Sequence, residues 1–286
     1  MTVAMRSSSR NRLRRWLPPR LWPFVAILGV LVLAATLAPF IAPEDPNAQN
    51  LLGRLKAPGT EVRGITYLLG SDELGRDLLS RLIHGAQVSL VVAALSVVVS
   101  GTVGTLLGMI AAWYGGIVGT IIMRIVDIVL SVPAILLAII TVAVVGPGFF
   151  NVIAVLAFTR WPRYARVAYG QTLGLLNLPY VRLSHFMGAS ATRVLWRHIL
   201  PNIIGPIMVV VTLEFGLMVM FEAGLSFLGI GVQPPTPSWG AILSSGRSYV
   251  TTAWWIAVFP GAFLFLLILS VNVLGDHVRD VVEGRR

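Results

Sequence analysis

The chain has 286 residues, of which 56% are hydrophobic and 12% charged; an average soluble domain carries about 25% charged residues, so water is the wrong solvent for most of this surface. It contains no cysteine, which excludes disulfides, thiolate metal ligands and cysteine nucleophiles. The formal net charge of +10 invites a nucleic-acid partner, but the basic residues are distributed as a membrane protein distributes them, and no nucleic acid is expected.

A membrane-spanning helix needs about 20 mostly apolar residues. Residues 1–20 form a basic N-terminus with Arg6, Arg10, Arg12, Arg14, Arg15 and Arg20. Residues 21–42 read as the first span, too long for a signal-peptide core and without a convincing cleavage site, so it is expected to be retained. Residues 43–85 make the first outer loop. Within it, 72–84 places Leu74, Leu78 and Leu82 at i, i+4 and i+8, which predicts an amphipathic helix lying along the outer surface. Asp77 and Arg81 would be an i,i+4 ion pair on it.

Residues 88–113 and 117–145 are the second and third spans. Residues 149–159 make a short fourth, ended by Arg160. It is expected to cross, because otherwise the arginine-rich stretch behind it would fall outside. Arg160 and Arg163 would then snorkel to the headgroups from a longer helix. Residues 203–228 and 253–275 are the fifth and sixth spans, and 276–286 a tail. Fifteen of the 22 basic residues fall in the N-terminus, the 160–202 region and the tail. By the positive-inside rule these regions are cytoplasmic.

Four charges lie inside spans. Arg124 and Asp127 are three apart and share a helix face, either as a structural ion pair or in gating. Glu214 and Glu222 are eight apart on one side of the fifth span. They face either a pathway through the bundle or a second membrane subunit. Residues 231–239, with three prolines, cannot be a regular helix. They predict an extended outer loop, either a stiff connector or a contact for another protein, with Trp239 as an interface anchor.

The longest inner loop contains FMGASATRVLWRHILPN, 186–202. Pro179 suits the first turn of a helix over 180–187. Gly188 permits a tight turn, and a second helix over 191–200 follows, closed by Pro201. Val194, Leu195 and Ile199 form its apolar side, Arg193 and Arg197 its basic side.

Enzyme signatures are scarce. The four histidines, His84, His185, His198 and His277, are dispersed, and no metal cluster is evident. The single lysine, Lys56, follows Leu55, so no phosphate-binding P-loop exists. No catalytic residue and no bound cofactor are expected. A gradient-driven secondary transporter would show an inverted repeat, and no internal duplication is evident.

The 186–202 stretch resembles the cytoplasmic loop of permease subunits of ATP-binding-cassette importers, with Gly188, Ala189 and Ser190 at the corner and Leu200–Pro201 at the end. The usual glutamate position holds Arg182, followed by Leu183 and Ser184. LGSDELGRDLLSRLIHGAQVSL (69–90) and LSFLGIGVQPPTPSWGAIL (225–243) are similar to the C-type subunit of dipeptide and oligopeptide importers. The resemblance implies an all-α integral membrane protein with six transmembrane helices and the type I importer permease fold, its core over 86–275. It implies a coupling loop, about 179–202, that docks on an ATPase through Arg182, Leu183, Ser184, His185, Met187, Gly188, Ala189 and Ser190. Its partners would be a B-type permease, one or two ATPases that use the ATP and Mg, an extracytoplasmic peptide-binding protein and the lipid bilayer. The location implied is the bacterial inner membrane with both termini cytoplasmic. Nickel or another small solute stays open as the substrate.

Overall fold

The computed structural model describes residues 18–282. Arg6, Arg10, Arg12, Arg14, Arg15, Arg285 and Arg286 lie outside the described residues.

The described chain is mainly helical. In order come α1 (Pro19–Thr36), a hairpin of β1 (Thr60–Val62) and β2 (Ile65–Tyr67), α2 (Leu78–Tyr114), α3 (Gly116–Ser131), α4 (Ala134–Val145) and α5 (Phe149–Leu176). Then follow α6 (Pro179–Phe186), α7 (Ala191–Phe227), α8 (Trp239–Gly246) and α9 (Trp255–Val282). The strands pair antiparallel, Thr60 opposite Tyr67.

Helices α1, α2, α7 and α9 are each long and apolar enough to cross a membrane. The expected third span is broken: α3 and α4 meet at 96°. Pro133 causes the break by forcing the residue before it out of the helical region, and Val132 is extended at φ −93°, ψ 134°. Taken as one unit, the bent pair is long and apolar enough for a fifth span. The short fourth segment is the start of a longer helix. Helix α5 does not stop at 159 but runs for 28 residues, about 42 Å at about 1.5 Å per residue. Arg160, Arg163 and Arg166 therefore stand inside a long helix, and their charges keep it from reading as an apolar span by composition alone.

Helices α2 and α5 pack closest, and glycine makes that possible. A Cβ on Gly104 would sit 2.3 Å from the Trp161 carbonyl oxygen, and one on Gly108 2.4 Å from that of Ala165. Such small residues let backbones approach where lipid supplies no hydrophobic drive between helices. Around this seam Val92, Leu156, Met218, Leu225 and Leu267 form the main core.

The outer loop corrects three expectations. Residues 72–77 are not helix; they wrap around Asp72. Its Oδ1 accepts from the amides of Leu74 and Arg76 at 2.9 Å each, and its Oδ2 from Arg76 Nε at 2.6 Å. Arg81 pairs with Asp72 at 3.4 Å, not with Asp77. Asp77 instead caps α2, its Oδ2 accepting from the Ser80 amide at 2.8 Å and the Ser80 hydroxyl at 2.7 Å. The predicted surface helix is thus the buried start of α2, with Leu78 and Leu82 fully enclosed. Trp239 is also core rather than interface. It is fully buried, donates to the Leu82 carbonyl at 2.9 Å and meets Phe263 edge to face. Gly85 leaves room for its ring.

Two ends can be told apart. At one, Arg20, Leu21 and Phe24 of α1 share a cavity of about 400 Å³ with Val273, Asp276, His277 and Asp280 of α9, and Trp113 at the end of α2 shares another with Val181 and Arg182 of α6. At the other lie the hairpin, the Gly148–Gly231 backbone bond and α8.

Gly104→Val is expected to wedge α2 from α5 and cost about 1–3 kcal/mol, read as a lower unfolding temperature of the detergent-solubilised protein. An unchanged temperature contradicts the seam.

Candidate functional site

The inner hairpin forms as its residues direct. Pro179 opens α6. Gly188 has φ +88°, the left-handed region where side chains are strained, and it turns the chain. The Ala189 amide donates back to the Ser184 carbonyl at 3.1 Å. Ser190 caps α7, its hydroxyl accepting from the Arg193 amide at 3.4 Å. Val194, Leu195 and Ile199 are buried with Val181, Ile203 and Met109, and Arg193 and Arg197 are exposed, as the sequence predicts. Pro201 does not close the second helix. The chain makes a π turn at Leu195–Ile199 and runs on as α7, with Pro201 in the first turn of the α-helical stretch beyond it. The π turn stands directly before the proline, whose ring and missing N–H disrupt the ordinary i→i−4 ladder.

Below this packed base α6 presents an apolar ridge. Phe186 is 85% exposed, Met187 80% and Leu183 59%. Arg182 turns aside and donates to Asn177 Oδ1 at 2.7 Å, fastening the corner between α5 and α6. Ser184 meets His198 at 3.4 Å. The side chain of His185 lies outside the described residues.

Higher in the bundle the charges pair differently from the sequence reading. Glu214 and Glu222 are both buried and have partners within the chain. Glu214 is only 2% exposed and accepts from Arg163 Nη1 at 3.0 Å, with Arg160 Nη1 at 3.5 Å. The Arg160 guanidinium also lies 4.0 Å over the Phe221 ring, a favourable cation–π position. This clasp ties α5 to α7. Glu222, fully buried, accepts from Ser89 of α2 and Ser226 of its own helix, each at 2.7 Å. Asp127 pairs with Arg166 of α5, not with Arg124. The reason is reach: α5 packs alongside α3 and offers a guanidinium across the gap. Arg124 has no ion-pair partner among the described residues. With Asp127 it lines a cleft of about 260 Å³ shared with Thr120, Met123 and Tyr169.

Sequence reasoning missed Arg160, Arg163 and Arg166 as a set, together with Ser89 and Phe186. The signal was present. Three arginines at intervals of three lie along one side of a helix, a pattern a loop has no cause to keep. Among the described residues no group of three or more His, Asp or Glu could hold a metal ion.

Residues 104–285 match the family described as the binding-protein-dependent transport system inner membrane component. The chain is 42% identical to the di/tripeptide transport system permease protein DppC of Pseudomonas aeruginosa (strain UCBPP-PA14), over 90% of this chain and 85% of that one. It is 38% identical to the dipeptide transport system permease protein DppC of Haemophilus influenzae, over 91% of this chain and 90% of that one. Its fold is like that of the inward-facing MetNI methionine ABC transporter, at 21% identity and TM-score 0.55, covering 70% of this chain and 95% of that chain.

Glu214→Ala would leave Arg160 buried without its counter-charge, a loss of about 3–5 kcal/mol. Asp127→Ala, at a half-exposed pair, would cost under about 1 kcal/mol. Unfolding temperatures of the two variants check this, and equal losses contradict the assignment.

Proposed function

Because the chain belongs to the family of binding-protein-dependent transport system inner membrane components, we propose that it is the permease subunit of an ATP-driven importer for dipeptides and oligopeptides, forming half of the translocation pathway. The peptide substrate is supported by the names of its relatives. The permease core spans 86–275. The partners are a B-type permease, one or two ATPases and an extracytoplasmic peptide-binding protein. The chain is non-catalytic; ATP and Mg serve the ATPases. Its place is the bacterial inner membrane, with both termini cytoplasmic. Two features support that orientation: the bias of basic residues to those regions, and the contacts of α1's start with α9's end and of α2's end with α6 of the inner helical hairpin.

The observation that carries the coupling role is the apolar ridge of Leu183, Phe186 and Met187, left bare on an otherwise well-packed base. Exposed aromatic and methionine side chains on a rigid support are what a groove on a partner recognises. Around the ridge, Arg182, Ser184 and His185 flank the contact, and Gly188, Ala189 and Ser190 hold the corner. Arg182 donates to Asn177 and stays exposed, its charge at the edge of the contact.

Force on this hairpin enters α5 and α7 together, since α6 hangs between them. The Glu214 clasp holds the two legs in one register, and the glycine seam adds α2 to the same body. ATP binding closes the ATPases, draws the coupling helices of the two permeases together and tilts this body from inward-facing to outward-facing. The bend at Pro133 gives the body a neighbour that can adjust.

Phe186→Asp should leave the subunit at normal levels in the membrane, abolish peptide uptake and weaken co-purification of the ATPase. Normal uptake by this variant overturns the coupling role.

A further inference from the structure

We propose that the cleft at the start of α2, between Asp77 and Glu44, is a binding site for a calcium ion. Its place on the outer face rests on the orientation argued above; the site itself rests on its own geometry.

The observation that carries it is an orphaned oxygen. Asp77 is only 3% exposed. Its Oδ2 is used twice, by the Ser80 amide and the Ser80 hydroxyl. Its Oδ1 is enclosed and has no hydrogen-bond partner among the described residues. A buried carboxylate oxygen left bare is costly, and a water or an ion is what supplies such a partner. No guanidinium does so. Arg76 and Arg81 go to Asp72 and Glu73, and Arg81 Nη1 also donates to the Pro46 carbonyl at 3.1 Å. Asp77 belongs instead to the lining of a cleft of about 70 Å³, with Glu44, Gln49, Asn50, Tyr67 and Gly75. At about 30 Å³ per water, that is room for one cation and one water.

The donors around it suit a hard cation. Ser80 holds Glu44 beside Asp77: its hydroxyl accepts from the Glu44 amide at 3.0 Å while donating to Asp77. Glu44 makes no ion pair among the described residues. Asn50 Nδ2 donates to the Tyr67 hydroxyl at 3.1 Å, and that hydroxyl donates to the Gly75 carbonyl at 3.2 Å. This chain fixes the Asn50 amide and leaves its oxygen over. Gly75 permits the approach. It has φ +72°, and a Cβ there would sit 1.8 Å from the Asn50 carbonyl oxygen. Two segments distant in sequence are thereby pressed together with a carboxylate on each. A water would satisfy Oδ1; a cation also answers the second carboxylate. Two acids are fewer than a cluster of three, but calcium takes about six to eight oxygens, from amides, carbonyls and water as well as carboxylates. It accepts irregular geometry, as this loop offers, whereas magnesium demands a near-octahedral shell. The positive end of α2 opposes the ion, so affinity falls in the weak range of extracellular calcium modules, about 0.1–1 mM. Bound there, the ion fastens the segment after α1 to the start of α2.

The test uses the purified full chain in detergent, stripped of metal with a chelator and titrated calorimetrically with calcium chloride. The wild type should bind one calcium per chain, half-saturated at about 0.1–1 mM, and its unfolding temperature should rise with occupancy. Asp77→Asn keeps the cap, since asparagine caps as well as aspartate, and should lose both saturable binding and the rise. Glu44→Gln, at an exposed position, should keep the metal-free unfolding temperature and weaken binding about tenfold or more, because ligand charge sets the affinity. No saturable binding by the wild type means that the cleft holds water only, and overturns the proposal. So does undiminished binding by either variant, which would place the ion elsewhere, and so does an equal response to magnesium, which would be charge screening. Peptide uptake by the complete transporter is measured separately, so a failure of calcium binding leaves the permease reading standing.

Discussion

A buried carboxylate between two guanidiniums on another helix is the constraint on which the rest of this molecule depends. A carboxylate at Glu214 is costly in a bilayer without partners, and so is the guanidinium of Arg160 without Glu214. Each therefore fixes where the other's helix stands. Register between two apolar helices is otherwise weakly specified, because lipid is as good a neighbour as leucine. The clasp removes that freedom at one level of α5 and α7, the two helices that enclose the inner hairpin.

Other contacts extend the constraint outward. The glycine seam presses α2 onto α5. Glu222 joins α2 to α7 through Ser89, and Trp239 joins α8 to α2 through the Leu82 carbonyl. At the outer face Trp255 of α9 donates to the Ser71 carbonyl, so the loop around Asp72 is locked to the last helix. These are hydrogen bonds from groups with no water to turn to, which makes breaking them expensive. The α3–α4 pair differs. It is bent at a proline, and its ion pair to α5 is half exposed. The molecule thus combines a stiff body that includes the hairpin with a softer element beside it.

Much of this is legible in the sequence where a local rule decides. Pro179, Gly188 and the Val194–Leu195–Ile199 side specify the hairpin, because a first-turn proline, a left-handed glycine and a helical stripe act within a few residues. The long apolar runs give α1, α2, α7 and α9. The misread places are those where a distant partner decides. A hydropathy scan ends the fourth span at Arg160 because it counts the charge and cannot count Glu214, and Arg163's partner is 51 residues further on. Asp77 suits both an i,i+4 pair with Arg81 and a cap for Ser80. Asp72, brought round by the loop, takes Arg81 and leaves Asp77 to cap. Trp239 follows a proline-rich loop and looks like an interface anchor until Gly85 makes room for it. Pro133, by contrast, was a readable break inside the third apolar run.

The central claim is that the two legs of the coupling hairpin move as one body. The chain has no cysteine, so spin labels can be attached at Leu173 on α5 and Ile204 on α7, both exposed. Their separation should be measured by pulsed electron paramagnetic resonance in the complete transporter, without nucleotide and with ATP trapped. An unchanged distance in a complex that demonstrably changes from inward-facing to outward-facing is the expected result. A shift of several ångströms between the two labels would show that the legs part during the cycle, and would contradict the clasp as the element that transmits the motion.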